Sequence, residues 1–392
     1  MMVREGKTIR IRIACRLALL AASTGFASCC SVETGNMAAP IDHSRLFAEP
    51  ELMEDFLQFR NIIEHRTVGL YTDKARLSAR LDEIESTLNA PMTELQFLRV
   101  LAPAVAALRC GHSFLSVSRG TETFMREEAL FLPLSVRIID ERLFAVGTRH
   151  APGVVAGSEI LAIQGRPSGE LIRTLMATMS TDGRDQGRPR HDAERWFAAM
   201  YHTYIDTPDR FELSLRRPGT DVVESLSVLA VRDSTYAKTA QGVVYDTVDA
   251  PYSSSFNDNH VVLAVPSFIY SKPKAYDAFL ADFFAELAAR RIETLVLDLR
   301  GNYGGTPGPT VELFRYLIDR PLPFFAQNNP IYLAPWKKPL RPHPDAFGGR
   351  LFVLMDEAGF SMNSFLLSLL RHYRIGTLVG APSAGGYRCS DA

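Results

Sequence analysis

From residue 261 onward the sequence alternates between short apolar runs and amphipathic stretches, which limits this part of the chain to a mostly parallel sheet flanked by helices. Val261-Val-Leu-Ala-Val265 reads as a strand, and Tyr276, Phe279, Leu280, Phe283, Phe284 and Leu287 line one face of a helix. Residues 295–299 read as a buried strand, 311–318 as a helix, 351–355 as a strand, 361–373 as a helix and 375–379 as a strand. In such a fold the functional loops gather at the carboxyl ends of the strands. Two motifs fall at such ends: Leu295-Val-Leu-Asp298-Leu-Arg300-Gly-Asn302-Tyr-Gly304-Gly305 and Gly359-Phe-Ser361-Met-Asn363.

A serine that opens an apolar helix has the next backbone N–H, here that of Met362, directed at whatever its oxygen attacks. The plain alternative is an N-cap, worth ~1 kcal/mol of helix stability, and position alone favours the cap. Gly304 and Gly305 shift the balance, because a glycine pair just past a buried strand lets backbone approach a ligand and present a second donor. Asp298, Arg300 and Asn302 are read as braces of this loop.

The remainder of the chain has a different texture. Arg4, Lys7, Arg10, Arg12 and Arg16 precede a short apolar run and the small residues before Cys29, so residues 1–29 read as a secretory signal. Phe26-Ala-Ser-Cys29 also resembles a bacterial lipobox, which leaves two readings open: an ordinary exported protein, or a periplasmic or outer-membrane lipoprotein anchored through Cys29. Residues 41–125 carry helical spacing, with a capping box at Thr93-Glu-Leu-Gln96 and a helix that stops at Gly111, just before His112. Residues 126–233 are richer in short strands, and Ala151-Pro-Gly-Val-Val-Ala-Gly-Ser158 looks like the glycine turn of a PDZ-like domain, which binds an extended peptide at a sheet edge. Residues 234–259 read as a polar linker.

A net charge of -1 gives no field that would attract nucleic acid. The nine histidines are scattered and the two cysteines of the mature body, Cys110 and Cys389, lie far apart; no metal or other cofactor is implied, and Cys110 is expected to pack as a small hydrophobe. An α/β-hydrolase elbow fits poorly, since Gly359-Phe-Ser361-Met-Asn363 lacks its last glycine and His372 sits on the serine's own helix.

Four ordered motifs carry a resemblance. Asp298-Leu-Arg-Gly-Asn-Tyr-Gly-Gly305 resembles the glycine loop of the carboxy-terminal-processing, tail-specific and tricorn-core serine peptidases. Gly359-Phe-Ser361-Met-Asn-Ser is similar to their nucleophile turn, Leu378-Val-Gly-Ala-Pro-Ser-Ala-Gly-Gly386 to the strand and loop after it, and Leu108-Arg-Cys-Gly-His112-Ser to the Gly-His motif of the histidine-base branch. The resemblance implies an α/β fold with a crotonase-like core over residues 260–392, preceded by the helical region and a PDZ-like insert. It implies an exported serine peptidase acting on peptides or unfolded protein termini, with Ser361 as nucleophile, His112 as base, and Gly304 or Gly305 with Met362 as oxyanion donors. The lysine used by the processing branch is excluded, because its matching position is Gly386 and no lysine follows Lys338. The family's acid is expected beyond residue 392, in a core that reads as truncated. A glutamate usual after the nucleophile is also missing, with Asn363 or Ser364 in its neighbourhood. These departures leave a second expectation, a catalytically inactive peptide-binding lipoprotein of the same fold.

Overall fold

The structure is a computed structural model that describes residues 16–17, 42–66, 71–148, 150–232, 252–257, 259–270, 272–326 and 331–385. Cys29 and its lipobox, Cys389, Gly386, Asp391 and most of the polar linker lie outside the described residues. The rest forms two compact units that divide near residue 244.

The first unit opens with three helices, Glu49–Arg66, Lys74–Thr87 and Glu94–Ala106. Their apolar stripes, including Phe56, Phe59, Leu81, Leu98 and Leu101, bury each residue to 2% exposure or less in one core. The capping box forms: Thr93 Oγ1 accepts from Gln96 N–H, and the Gln96 side chain accepts from Thr93 N–H at 2.8 Å. The fully buried Glu94 carboxylate joins this helix to the next, Arg119–Glu127, by accepting from Ser118 N–H, from Ser118 Oγ at 2.7 Å and from Thr121 Oγ1.

A mixed segment follows. Strands Ser135–Ile139, Arg142–Gly147, Glu159–Ile163, Arg210–Arg216 and Val223–Leu229 form an antiparallel sheet in that order, with a short strand at Arg166–Pro167 paired to the third. The segment is less purely β than its sequence texture predicts: helices Ser168–Ala177, Gly187–Arg195 and Phe197–Tyr204 stand between the third and fourth long strands. Local preference hides the last two, since one contains Gly187 and Pro189 and the other is rich in aromatic and β-branched residues. Burial of Leu171, Leu175, Phe197 and Tyr201 in the core under the sheet holds them.

The second unit realises the predicted alternation. Its sheet runs Thr377–Gly380, Arg350–Met355, Thr294–Asp298, Val261–Ala264, Ser253–Phe256; the first four strands are parallel and the last is antiparallel. That last strand lies inside the expected linker, where three successive serines give no apolar alternation to reveal it. Helices Pro273–Ala289, Pro307–Leu317 and Met362–Tyr373 bury Phe284, Phe314 and Leu366 against Leu263, Leu297 and Val353 of the strands. Among the described residues no helix is long and apolar enough to cross a membrane.

Candidate active site

The strands Thr294–Asp298 and Arg350–Met355 are parallel neighbours, so the loops leaving their carboxyl ends emerge side by side. One is the glycine loop and the other is the turn that carries Ser361.

Ser361 has φ 52° and ψ -126°, a backbone conformation that L side chains rarely adopt, and the helix begins immediately after it at Met362. Holding a serine there costs on the order of 1–3 kcal/mol. An N-cap serine would instead have an extended backbone and a side chain bonded to the first helical turn; Ser361 has neither. Its hydroxyl therefore does not cap the helix, although it stands at the positive end of the helix dipole.

Gly304, with φ +95°, explains why this turn and the glycine loop can meet. A Cβ at Gly304 would come within 2.5 Å of Phe360 O, 2.7 Å of Ser361 Cβ and 2.8 Å of Met362 N. Gly305, with φ +146°, is pressed equally hard against Phe268, whose carbonyl oxygen would lie 2.5 Å from an added Cβ. The two glycines are not interchangeable as donors. Gly304 N–H donates to Asn302 Oδ1 at 2.7 Å and its carbonyl accepts from Phe268 N–H at 2.9 Å. Of the expected pair, Gly304 is thus removed as an oxyanion donor and becomes the residue that permits close packing. Among the described residues, no protein acceptor takes the N–H of Gly305 or of Met362.

The loop is locked by polar side chains. Asn302, fully buried, donates to Val265 O at 2.7 Å while accepting from Gly304. Asp298 and Arg300 form a two-bond ion pair at 2.9 and 2.7 Å, and the guanidinium holds the Asp298 carboxyl below the usual carboxylate range. All three residues brace, as their positions suggest.

Four further braces complete the loop; the sequence marks Asn363 and Ser364 without giving them a role, and does not mark Asp356 or Ala384. Asp356 accepts Gly301 N–H with both carboxylate oxygens at 3.0 Å. Asn363, fully buried two residues after Ser361, donates to Asn302 O at 2.9 Å and Leu299 O at 3.3 Å, tying the helix that Ser361 precedes to the glycine loop. Ser364 Oγ donates to Gly359 O at 2.9 Å and accepts from Gly385 N–H at 3.0 Å, and Ala384 N–H donates to Gly359 O at 2.7 Å. Asn363 and Ser364 therefore stitch three loops together. Two polar residues on the buried face of an apolar helix were the available signal.

His112 belongs to the first unit, six residues after the end of helix Glu94–Ala106. Leucine-lined helix packing leads into Arg109, itself at φ 52°, and then to a cluster in which Cys110, His112 and Asp182 each place one donor atom within 4.8 Å of the others. Cys110 is 4% exposed, as expected of a packed residue, but its neighbours are polar. Asp182 was not foreseen, because 71 residues separate it from Gly111, whose N–H it accepts at 2.7 Å.

Comparison with known proteins comes to the same region. Residues 259–390 match the model of peptidase family S41. No curated protein matches the sequence. Among solved structures the chain is similar to mature CPAF, at 16% identity and a TM-score of 0.58 over 86% of this chain and 84% of that one. It is also similar to a serine-to-alanine mutant of CPAF, at 15% identity and a TM-score of 0.60 over 86% of this chain and 85% of that one. A third, CPAF complexed with lactacystin, has a TM-score of 0.57 at 15% identity, covering 86% and 85%. At such identities the likeness speaks for the fold.

Proposed function

Because residues 259–390 match the model of peptidase family S41, we propose that this chain is a serine-type peptidase that hydrolyses peptide bonds in peptides or unfolded protein termini through an acyl-enzyme on Ser361. The observation that carries the reading is Ser361 itself: a non-glycine residue in a glycine-like backbone, without a cap bond, at a helix N-terminus beside a glycine that touches it. Its oxygen attacks the scissile carbonyl carbon while His112 accepts the hydroxyl proton and then delivers it to the departing amine. The N–H groups of Met362 and Gly305, which no protein acceptor takes among the described residues, receive the negative charge that forms on the carbonyl oxygen. Water then hydrolyses the ester through the same groups.

The finer architecture belongs to this proposal as well. The parallel sheet of the second unit is read as a crotonase-like core, and the antiparallel sheet of the first as a PDZ-like module whose edge strand Val223–Leu229 offers an extended peptide a partner. Exported action, with or without a lipid on Cys29, follows from the leader sequence alone.

The deciding experiment is covalent labelling of the full chain with a fluorophosphonate, followed by hydrolysis of a denatured protein substrate. Labelling mapped to Ser361 and lost in Ser361→Ala is expected, with His112→Ala slowing hydrolysis by roughly 10³-fold or more. Peptide binding without Ser361-dependent turnover would establish the inactive, peptide-binding reading instead.

A further inference from the structure

The Cys110, His112 and Asp182 cluster holds more chemistry than a general base requires. One sulfur, one ring nitrogen and one carboxylate oxygen lie within 4.8 Å of one another. Cys110 and Asp182 are 4% and 9% exposed, so the donors meet at the edge of the protein interior. Three hydrogen bonds hold the meeting: Ser180 Oγ donates to Val105 O at 3.0 Å, Gly183 N–H to Arg109 O at 3.1 Å, and Gly111 N–H to Asp182 Oδ1 at 2.7 Å. These bonds clamp the 180–183 loop onto the segment that carries Cys110 and His112.

Thiolate, imidazole and carboxylate are the donor types of zinc, which binds them at about 2.0–2.3 Å in a tetrahedral arrangement. Those bond lengths put neighbouring donors roughly 3.3–3.8 Å apart, so the cluster need contract by only about 1–1.5 Å to close on the ion, with water in the fourth position. Catalysis as proposed above uses only His112. It assigns no role to the Cys110 thiol that lies beside that imidazole.

We propose that Cys110, His112 and Asp182 form a zinc site, and that zinc bound there inhibits the peptidase; the inhibitory half rests on His112 being its base. Binding converts the Cys110 thiol to a zinc-bound thiolate and releases its proton to solvent. A neutral imidazole that gives its lone pair to zinc carries its hydrogen on the other nitrogen. Neither nitrogen can then accept the Ser361 proton, whichever one the ion takes. The resting chain is thereby held silent until a chelator or a competing ligand removes the ion.

The test uses the metal-free full chain. Zinc is titrated against a chromogenic chelating indicator, and Co²⁺ is added separately as a spectroscopic substitute. One ion per chain is expected, with a near-ultraviolet sulfur-to-cobalt band that disappears in Cys110→Ser and at least tenfold weaker zinc binding in Cys110→Ser and in Asp182→Asn. Circular dichroism checks that both variants fold. Fluorophosphonate labelling supplies the second arm: zinc should suppress it, excess chelator should restore it, and the zinc concentration that halves it should rise at least tenfold in Cys110→Ser. A cobalt spectrum without a thiolate band, or zinc affinity equal in wild type and both variants, overturns the site. Zinc bound through Cys110 with labelling unaffected overturns the inhibition. Failure of the peptidase reading looks different, since Ser361 would then remain unlabelled in chelator while zinc still binds.

Discussion

The two units hold Ser361 and His112 by opposite means. In the second unit everything that positions Ser361 comes from loops at one end of one parallel sheet, and most of it is backbone: two glycines in close contact, and carbonyls taken by Asn302, Asn363 and Ser364. In the first unit His112 is placed by a loop from beyond the third long strand, clamped to the end of a helix through Asp182, Ser180 and Gly183. The first design tolerates no added atom. The second depends on side chains that can be exchanged, and so leaves room for another ligand.

The largest expected effect probes that intolerance. Gly304→Ala puts a methyl 2.5 Å from a backbone oxygen that has no flexible end to move, at a φ of +95°. It should cost about 4 kcal/mol or more and abolish Ser361 labelling, as read from urea midpoints and fluorophosphonate uptake. Gly219→Ala in the first unit is the control: φ is +74° but nothing lies within 4 Å, so the cost should be about 1 kcal/mol. Equal costs would show that backbone conformation, not the contact with the turn at Phe360–Met362, makes Gly304 necessary.

Next comes Asn302→Ala. It strands a buried N–H at Gly304 and a buried carbonyl at Val265, and should destabilise the chain by roughly 2–4 kcal/mol. Labelling should slow as well, because the glycine loop loses its internal brace; normal labelling in the folded variant would mean the loop keeps its shape without it.

The first unit has its own vulnerability, to acid. His202 is buried against Phe131, its Nδ1 has no hydrogen-bond partner among the described residues, and burial, helped by the nearby Arg99 charge, pushes its pKa down to about 4 from 6.5. The unfolded chain takes up this proton near pH 6.5 and the folded chain only near pH 4. Stability is therefore full above about pH 6.5 and falls as pH drops toward 4, by about 2–3 kcal/mol from this group. Urea unfolding at pH 7 and pH 5 should show a smaller difference in His202→Gln than in wild type; an unchanged difference would assign the acid sensitivity elsewhere. The smallest effect is expected for Arg300→Ala, which breaks a partly exposed ion pair and should cost under about 1 kcal/mol.

The same contrast governs how much could be read from the sequence. The second unit was legible because its chemistry is written in short contiguous strings: a strand with its glycine turn, and a serine opening a helix. What stayed hidden there was the bonding within the strings, such as the choice between Gly304 and Gly305, which turns on a side-chain amide two residues away. In the first unit the three N-terminal helices announced themselves by spacing and a capping box, whereas Gly187–Arg195 and Phe197–Tyr204 did not, since tertiary burial rather than propensity makes them helical. Asp182 was invisible for a further reason: a contact across 71 residues leaves no periodic trace.

Ser361 also bears on how such a chain would age under relaxed selection. Its φ and ψ are those that glycine occupies without strain, so the change that removes the hydroxyl most simply, Ser361→Gly, should raise thermal stability while ending the chemistry. Drift at this position runs downhill toward a sturdier, silent protein. A serine retained there is a residue that folding alone would discard.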